Sequence, residues 1–64
     1  MIYLTRLNGE VLAINIDLIE LMEETPDTVV TLTTGRKLVV KESIQQISAQ
    51  IIKIKRAIFT TLKK

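Results

Sequence analysis

Five isoleucines near the carboxyl terminus recur at alternating spacings of three and four residues, and this spacing constrains the fold more than any other feature. An α-helix repeats every ~3.6 residues, so the spacing places all five side chains on one stripe of a helix. Ser43-Ile44-Gln45-Gln46 has the pattern of a capping box, which predicts a helix over residues 42–62. The isoleucines of the stripe are Ile44, Ile47, Ile51, Ile54 and Ile58.

The predicted helix is too long for the rest of the chain to cover. A helix of ~20 residues is ~30 Å long, whereas strands of five or six residues span only ~17–20 Å. We therefore assign Ile44, Ile47 and Ile51 to the core and expect the last turns to pack on another copy of the chain, as charged flanks beside an a/d stripe indicate. The residues predicted for this seam are Ile54, Ile58, Leu62 and, on the flank of the stripe, Phe59.

The first 41 residues have the pattern of strands joined by tight turns. In residues 2–7, Ile2 and Leu4 alternate with Tyr3 and Thr5, and Asn8-Gly9 follows at once. This pattern predicts a hairpin with a type I′ turn, which requires positive φ at both central residues. The β-branched run at residues 28–32, the Thr34-Gly35 pair and residues 36–40 predict a second hairpin. Turn formation accounts for the residue types at five positions of the chain, which are Asn8, Gly9, Pro26, Asp27 and Gly35.

Two segments between the hairpins leave alternatives open. Residues 10–14 are apolar on both faces, as in a central strand covered from both sides or a strand half-buried in an oligomer. Asn15 and Asp17 break this run, because their side chains bind nearby backbone N–H groups and favour a turn. Residues 18–24 fit a strand with Ile19 and Leu21 inward or a short helix, and their length favours the strand.

These elements predict a single α+β domain over residues 1–64. A small curved antiparallel sheet or barrel of about five strands occupies residues 1–41 and is followed by one long C-terminal α-helix over residues 42–62. Domains below ~70–80 residues rarely gain more than ~3–5 kcal/mol from their own core. Because 47% of the 64 residues are nevertheless apolar, we expect a homo-oligomer.

The residue inventory argues against an enzyme. The chain contains neither cysteine nor histidine, which excludes disulfides, Cys/His zinc sites, thiol nucleophiles and imidazole acid–base chemistry. We expect Glu20, Glu23 and Glu24 to form a solvated strand edge rather than a cation site, and residues 33–37 to form an ordinary basic turn rather than an anion site. The sequence predicts no catalytic residue, no metal and no cofactor.

Charge is divided unevenly along the chain. Residues 1–35 carry six acidic residues against one arginine, net −5, and residues 36–64 carry eight basic residues against one glutamate, net +7. Helical spacing places Lys53, Arg56 and Lys63 on one basic ridge, with Lys55 beside it. Three interpretations of this ridge stay open. It is a solvated helix face, a binding site for a protein partner, or a binding site for nucleic acid or an anionic membrane. Too few aromatic residues are present for a base-stacking platform, which disfavours nucleic acid.

No leader and no transmembrane segment is expected, because the longest apolar run, residues 11–14, is far short of the ~18 residues that span a bilayer. The sequence therefore favours a cytoplasmic location.

Four blocks of the sequence resemble a family of small bacterial flagellar proteins. They are MIYLTRLNGE at the start, N-x-D-L-I-E at residues 15–20, T-P-D-T-V-V-T-L-T-T-G at residues 25–35 and V-V-K-E-S at residues 39–43. Their order over roughly residues 1–52 is similar to the FlbD/SwrD family. The resemblance implies a non-enzymatic cytoplasmic protein that supports motility and, in swarming bacteria, motor power. It implies no catalytic or ligand-binding residue. As our own hypothesis, we expect an adaptor, peripheral at the flagellar motor, that contacts a motor or stator component.

Overall fold

The computed structural model describes the backbone of residues 1–62 and the side chains of residues 1–58. Five strands precede one long helix, which confirms the predicted α+β class. Among the described residues, no helix is long and apolar enough to cross a membrane. The elements are β1 (Ile2–Thr5), β2 (Val11–Ile14), a 3₁₀ turn (Ile16–Leu18), β3 (Ile19–Glu24), β4 (Thr28–Leu32), β5 (Lys37–Val40) and α1 (Ile44–Leu62).

The strands form two antiparallel sheets that meet at one point. β1 pairs with β2, and β4 lies between β3 and β5. A single bridge joins Arg6 to Val40, and the Lys41 N–H donates to the Thr5 carbonyl at 2.8 Å. The sheets therefore curve around a shared core without closing into a barrel, with β2 and β3 as the two outer strands.

The first hairpin is present, but the predicted type I′ turn is wrong. The Gly9 N–H donates to the Arg6 carbonyl at 2.9 Å, and the Arg6 N–H donates to the Glu10 carbonyl at 2.8 Å. Gly9 has a φ of 94°, whereas Asn8 has a negative φ. This is a three-residue loop in which a type I turn precedes a glycine bulge. The second hairpin loop has the same pattern, with Gly35 at a φ of 93°.

A bulge in β3 corrects the predicted inward face of this strand. The pairing register with β4 shifts between Ile19 and Leu21, so Glu20 is an extra residue and strict alternation is lost. Ile19 and Met22 pack against the core, while Leu21 is 43% exposed. Residues 19–24 are thus a strand, as predicted, but the inward assignment of Leu21 is wrong.

β2 also departs from one of its two interpretations. It pairs with β1 alone, so it is an edge strand and not a central one covered from both sides. Val11 is 62% exposed, whereas Leu12 and Ile14 are half-buried against the core. The alternative, a strand half-buried in an oligomer, stays a prediction.

The core combines residues from both sheets with one residue from the helix. Of the three isoleucines assigned to the core, Ile47 is fully buried, and Ile51 and Ile44 are half-buried. The buried apolar residues are Ile2, Leu4, Val30, Leu32, Leu38, Val40 and Ile47.

The helix begins with the predicted capping box. The Gln46 N–H donates to Ser43 Oγ at 3.1 Å, and the Ser43 N–H donates to Gln46 Oε1 at 2.9 Å. A second cap comes from β3, where Glu24 Oε1 accepts the Ile44 N–H at 2.7 Å. This carboxylate lies at the positive end of the helix dipole, which favours its charge.

Candidate functional site

The first half of α1 is fixed to the outer side of β1. Gln50 Oε1 accepts the Tyr3 N–H at 3.1 Å, and Gln50 Nε2 donates to the Tyr3 carbonyl at 3.0 Å. One turn either side of Gln50, the side chains of Ile47 and Ile54 pack against the core. The side chain of Gln50 thus replaces a neighbouring strand, and the helix is held in place as far as Ile54.

Beyond Ile54, the described part of the helix turns its side chains to solvent. Ile58 is 55% exposed. Shortly before Ile54, Ile52 on the flank of the stripe is already 57% exposed. This arrangement agrees with the length argument, because the sheet is shorter than the helix. Ile54, assigned from the sequence to a seam between copies, is half-buried within its own chain, while Ile58 is available for a contact. Leu62 and Phe59, the other two seam residues, have side chains outside the described residues.

The predicted basic ridge lies on the same half of the helix. Lys53, Lys55 and Arg56 are all exposed. α1 contains no acidic residue, so all its charged side chains are basic. Lys63, the fourth residue of the ridge, lies outside the described residues. The structure therefore brings three cations and the exposed side chains of Ile52 and Ile58 to one segment, which we call the basic helix segment (residues 52–58).

A carboxylate that the sequence did not single out ties the start of the helix to β1. Glu42 Oε1 accepts the Thr5 N–H at 2.8 Å, and Glu42 Oε2 accepts the Thr5 hydroxyl at 2.8 Å. Burial acts to raise the pKa of Glu42, but the hydrogen bonds from Thr5 outweigh it and lower the pKa below its ordinary value. No sequence pattern could have identified this pair, because 37 residues separate the partners.

The first hairpin loop and the beginning of β5 line a shallow pocket of about 390 Å³. Arg6, Arg36 and Lys37 contribute its cations, and Leu7 and Asn8 contribute to its wall. The Arg6 charge is offset by Glu10, whose Oε1 lies 3.4 Å from Arg6 Nε. The other two cations are Arg36, which follows the second hairpin loop, and Lys37, the first residue of β5. That residues 33–37 form an ordinary basic turn stays a prediction.

The acidic residues of β3 have different surroundings. Among the described residues, no group of three or more acidic side chains is arranged to hold a cation. Glu24 is engaged at the start of α1, and Glu20 lies in the bulge. The predicted turn positions Asn8 and Asn15 have structural roles, since their Oδ1 atoms accept the N–H groups of Glu10 and Asp17. Pro26 and Asp27 lie in the turn between β3 and β4.

The chain was compared with protein-family models. The model described as FlbD, flagellar and swarming motility proteins, matches residues 1–59. The chain has no match among curated proteins or among solved structures.

Proposed function

The chain belongs to the FlbD family of flagellar and swarming motility proteins, and from this premise we propose that it is a non-enzymatic adaptor. In this proposal, it acts on the cytoplasmic side of the flagellar motor and supports motor power by binding a protein, a stator or other motor component. The family match covers both sheets and most of α1, so the proposal concerns the whole domain.

The observation that carries the proposal is the exposure of the basic helix segment. Exposed apolar side chains beside cations are typical of a protein interface, in which apolar anchors provide affinity and charges steer the encounter. Ile52 and Ile58 would supply the apolar contact, and Lys53, Lys55 and Arg56 would bind an acidic patch. The partner expected is therefore a protein surface with carboxylates around an apolar depression.

The chemistry of the chain supports the non-enzymatic part of the proposal. Without histidine or cysteine, neither an imidazole base nor a thiol nucleophile is available. The carboxylate with a lowered pKa, Glu42, has both oxygens engaged by Thr5. Its shift is explained by a structural contact and requires no catalytic role.

Capture from cells tests the identity of the partner. The tagged chain is purified at low salt, with and without nuclease, and the copurifying molecules are identified by mass spectrometry. Recovery of stator or other motor proteins that survives nuclease supports the adaptor. Recovery of nucleic acid that is lost with moderate salt would instead indicate a regulator of flagellar genes and contradict the proposal.

Charge reversal tests the surface. The variant Lys53→Glu, Lys55→Glu, Arg56→Glu should lose both motility and the captured protein. Its matched control reverses three cations elsewhere on the domain, with the same change in net charge, and should retain both activities. The control substitutions are Arg36→Glu, Lys37→Glu and Lys41→Glu. Motility and capture that the Lys53→Glu, Lys55→Glu, Arg56→Glu variant retains in full would show that the basic helix segment is only a solvated face.

A further inference from the structure

The outer sides of β1 and β2 differ in their hydrogen bonding. On β1, the outward N–H and C=O groups of Tyr3 are both bound by Gln50. Those of Thr5 are bound by Glu42 and by the Lys41 N–H. Every outward backbone group of the central part of β1 is therefore satisfied within the chain.

The outward groups of β2 have no such partners. Tyr3 pairs with Ala13 and Thr5 with Val11 in the antiparallel register. Because Tyr3 and Thr5 direct their backbone groups away from β2, their opposite residues direct theirs away from β1. The N–H and C=O groups of Val11 and Ala13 thus point outward, and within the described backbone (residues 1–62) and side chains (residues 1–58) no group binds them.

β2 also lacks the features that protect an exposed strand edge. Protected edges carry charges, prolines or bulges that prevent another strand from pairing. β3, the other outer strand, has a bulge at Glu20 and two further glutamates. β2 has the sequence Val-Leu-Ala-Ile, with neither charge nor bulge, and its four residues are regularly paired with β1.

We propose that β2 pairs with β2 of a second copy of this chain, antiparallel and centred on Leu12. In this register Val11 lies opposite Ala13 of the second copy, and the reverse pair follows from the twofold symmetry. Each pair exchanges two N–H···O bonds, so four bonds form and all eight outward groups of the two copies are satisfied. Registers centred on Val11 or Ala13 leave some of these groups unpaired.

The charges and apolar side chains of the chain are compatible with this register. Glu10, the charged residue nearest to β2, lies opposite Ile14 of the second copy, and the two Glu10 residues are separated by four positions, ~13 Å. At physiological salt this distance exceeds the screening length of ~8 Å. Leu12, half-buried against the core, meets its own symmetry mate on the core side.

The pairing also gives the small sheet a more favourable size. Two-stranded sheets are marginal, and three or more strands with an apolar face are needed for independent stability. Joining two copies turns each β1–β2 pair into half of a four-stranded sheet. Since the edge is only four residues long, we expect micromolar to millimolar association. This inference is independent of the proposed adaptor function, because it uses no residue of the basic helix segment.

A proline at Ala13 tests the pairing selectively. The Ala13 N–H points away from β1, so Ala13→Pro keeps the bonds of the hairpin and removes two of the four bonds between copies. Sedimentation velocity of the full chain from ~10 μM to ~1 mM should show a monomer–dimer equilibrium, weakened at least ~10-fold by Ala13→Pro. The control, Val11→Thr, keeps β-branched shape and backbone and should associate like the parent. Circular dichroism checks that each variant folds.

Amide hydrogen exchange of the unmodified chain provides a test that no folding defect can obscure. The N–H groups of Val11 and Ala13 should become protected as the concentration rises, while that of Leu12, which faces β1, should be protected throughout. A chain that is monomeric at ~1 mM would overturn the proposal. So would association that Ala13→Pro leaves intact and Ile58→Asp abolishes, since the contact would then be made by the helix.

Discussion

Replacing Glu42 with alanine removes the contact that ties the start of α1 to β1. The Thr5 N–H and hydroxyl, each bound by the carboxylate at 2.8 Å, then lose their partner at a half-buried position. Hydrogen bonds to charged groups contribute about 1.5–3 kcal/mol each, and water can reach part of this site. We therefore expect the free energy of unfolding to fall by about 1.5–3 kcal/mol in total. This is a large share of the ~3–5 kcal/mol available to so small a domain.

Urea unfolding followed by circular dichroism measures this loss, and the melting temperature should fall by about 4–8 °C per kcal/mol. Glu42→Gln is the matched control, because the amide keeps an acceptor for the Thr5 N–H and a group that can bind the Thr5 hydroxyl. It should lose less than half as much stability as Glu42→Ala. The difference between the two variants isolates the hydrogen bonds from the negative charge.

The pH dependence provides a second check on the same contact. The folded-state pKa of Glu42 is lowered, so the folded chain favours the ionised carboxylate. Its contribution is fully present above the unfolded-state pKa of about 4.3 and is lost as the pH falls through the lower folded-state pKa. The stability gap between the parent and Glu42→Gln should narrow over this acidic range. A gap that stays constant with pH, or an alanine variant as stable as the parent, would refute the assigned role of the carboxylate.

Three further substitutions test the elements on which the fold depends. Gly35→Ala should lower the free energy of unfolding by about 1–2 kcal/mol through the φ of 93° alone, since no atom beyond the neighbouring residues lies within 4 Å of the added methyl group. Gly35→Asn should lower it less, and equal losses would contradict a conformational cause. Ser43→Ala removes the acceptor of the Gln46 N–H and should lower the free energy of urea unfolding by about 1 kcal/mol. An unchanged free energy would mean that Glu24 suffices as the cap. Ile47→Ala, at a fully buried site, should cost about 2–5 kcal/mol and leave much of the chain unfolded by circular dichroism, and a folded variant would contradict a tightly packed core.

Local patterns were sufficient to predict the main elements of the fold. The isoleucine spacing and the Ser43–Gln46 capping box lie within a few turns of helix, and each hairpin depends on neighbouring residues and one glycine. Such signals are readable because the interacting groups are close in the chain. The exposure of Lys53 and Arg56 followed in the same way, since helical spacing places them off the isoleucine stripe.

The tertiary structure alone decided how these elements are joined and which surfaces remain open. The bonds from Thr5 to Glu42 and from Tyr3 to Gln50 span 37 and 47 residues, and isolated polar residues at such distances carry no periodic signal. The bulge at Glu20 likewise depends on the pairing register with β4. The residues of β3 alone do not indicate that register. Because these long-range contacts cover the edge of β1 and leave that of β2 open, the candidate pairing edge follows from the assembled sheets and not from any local pattern.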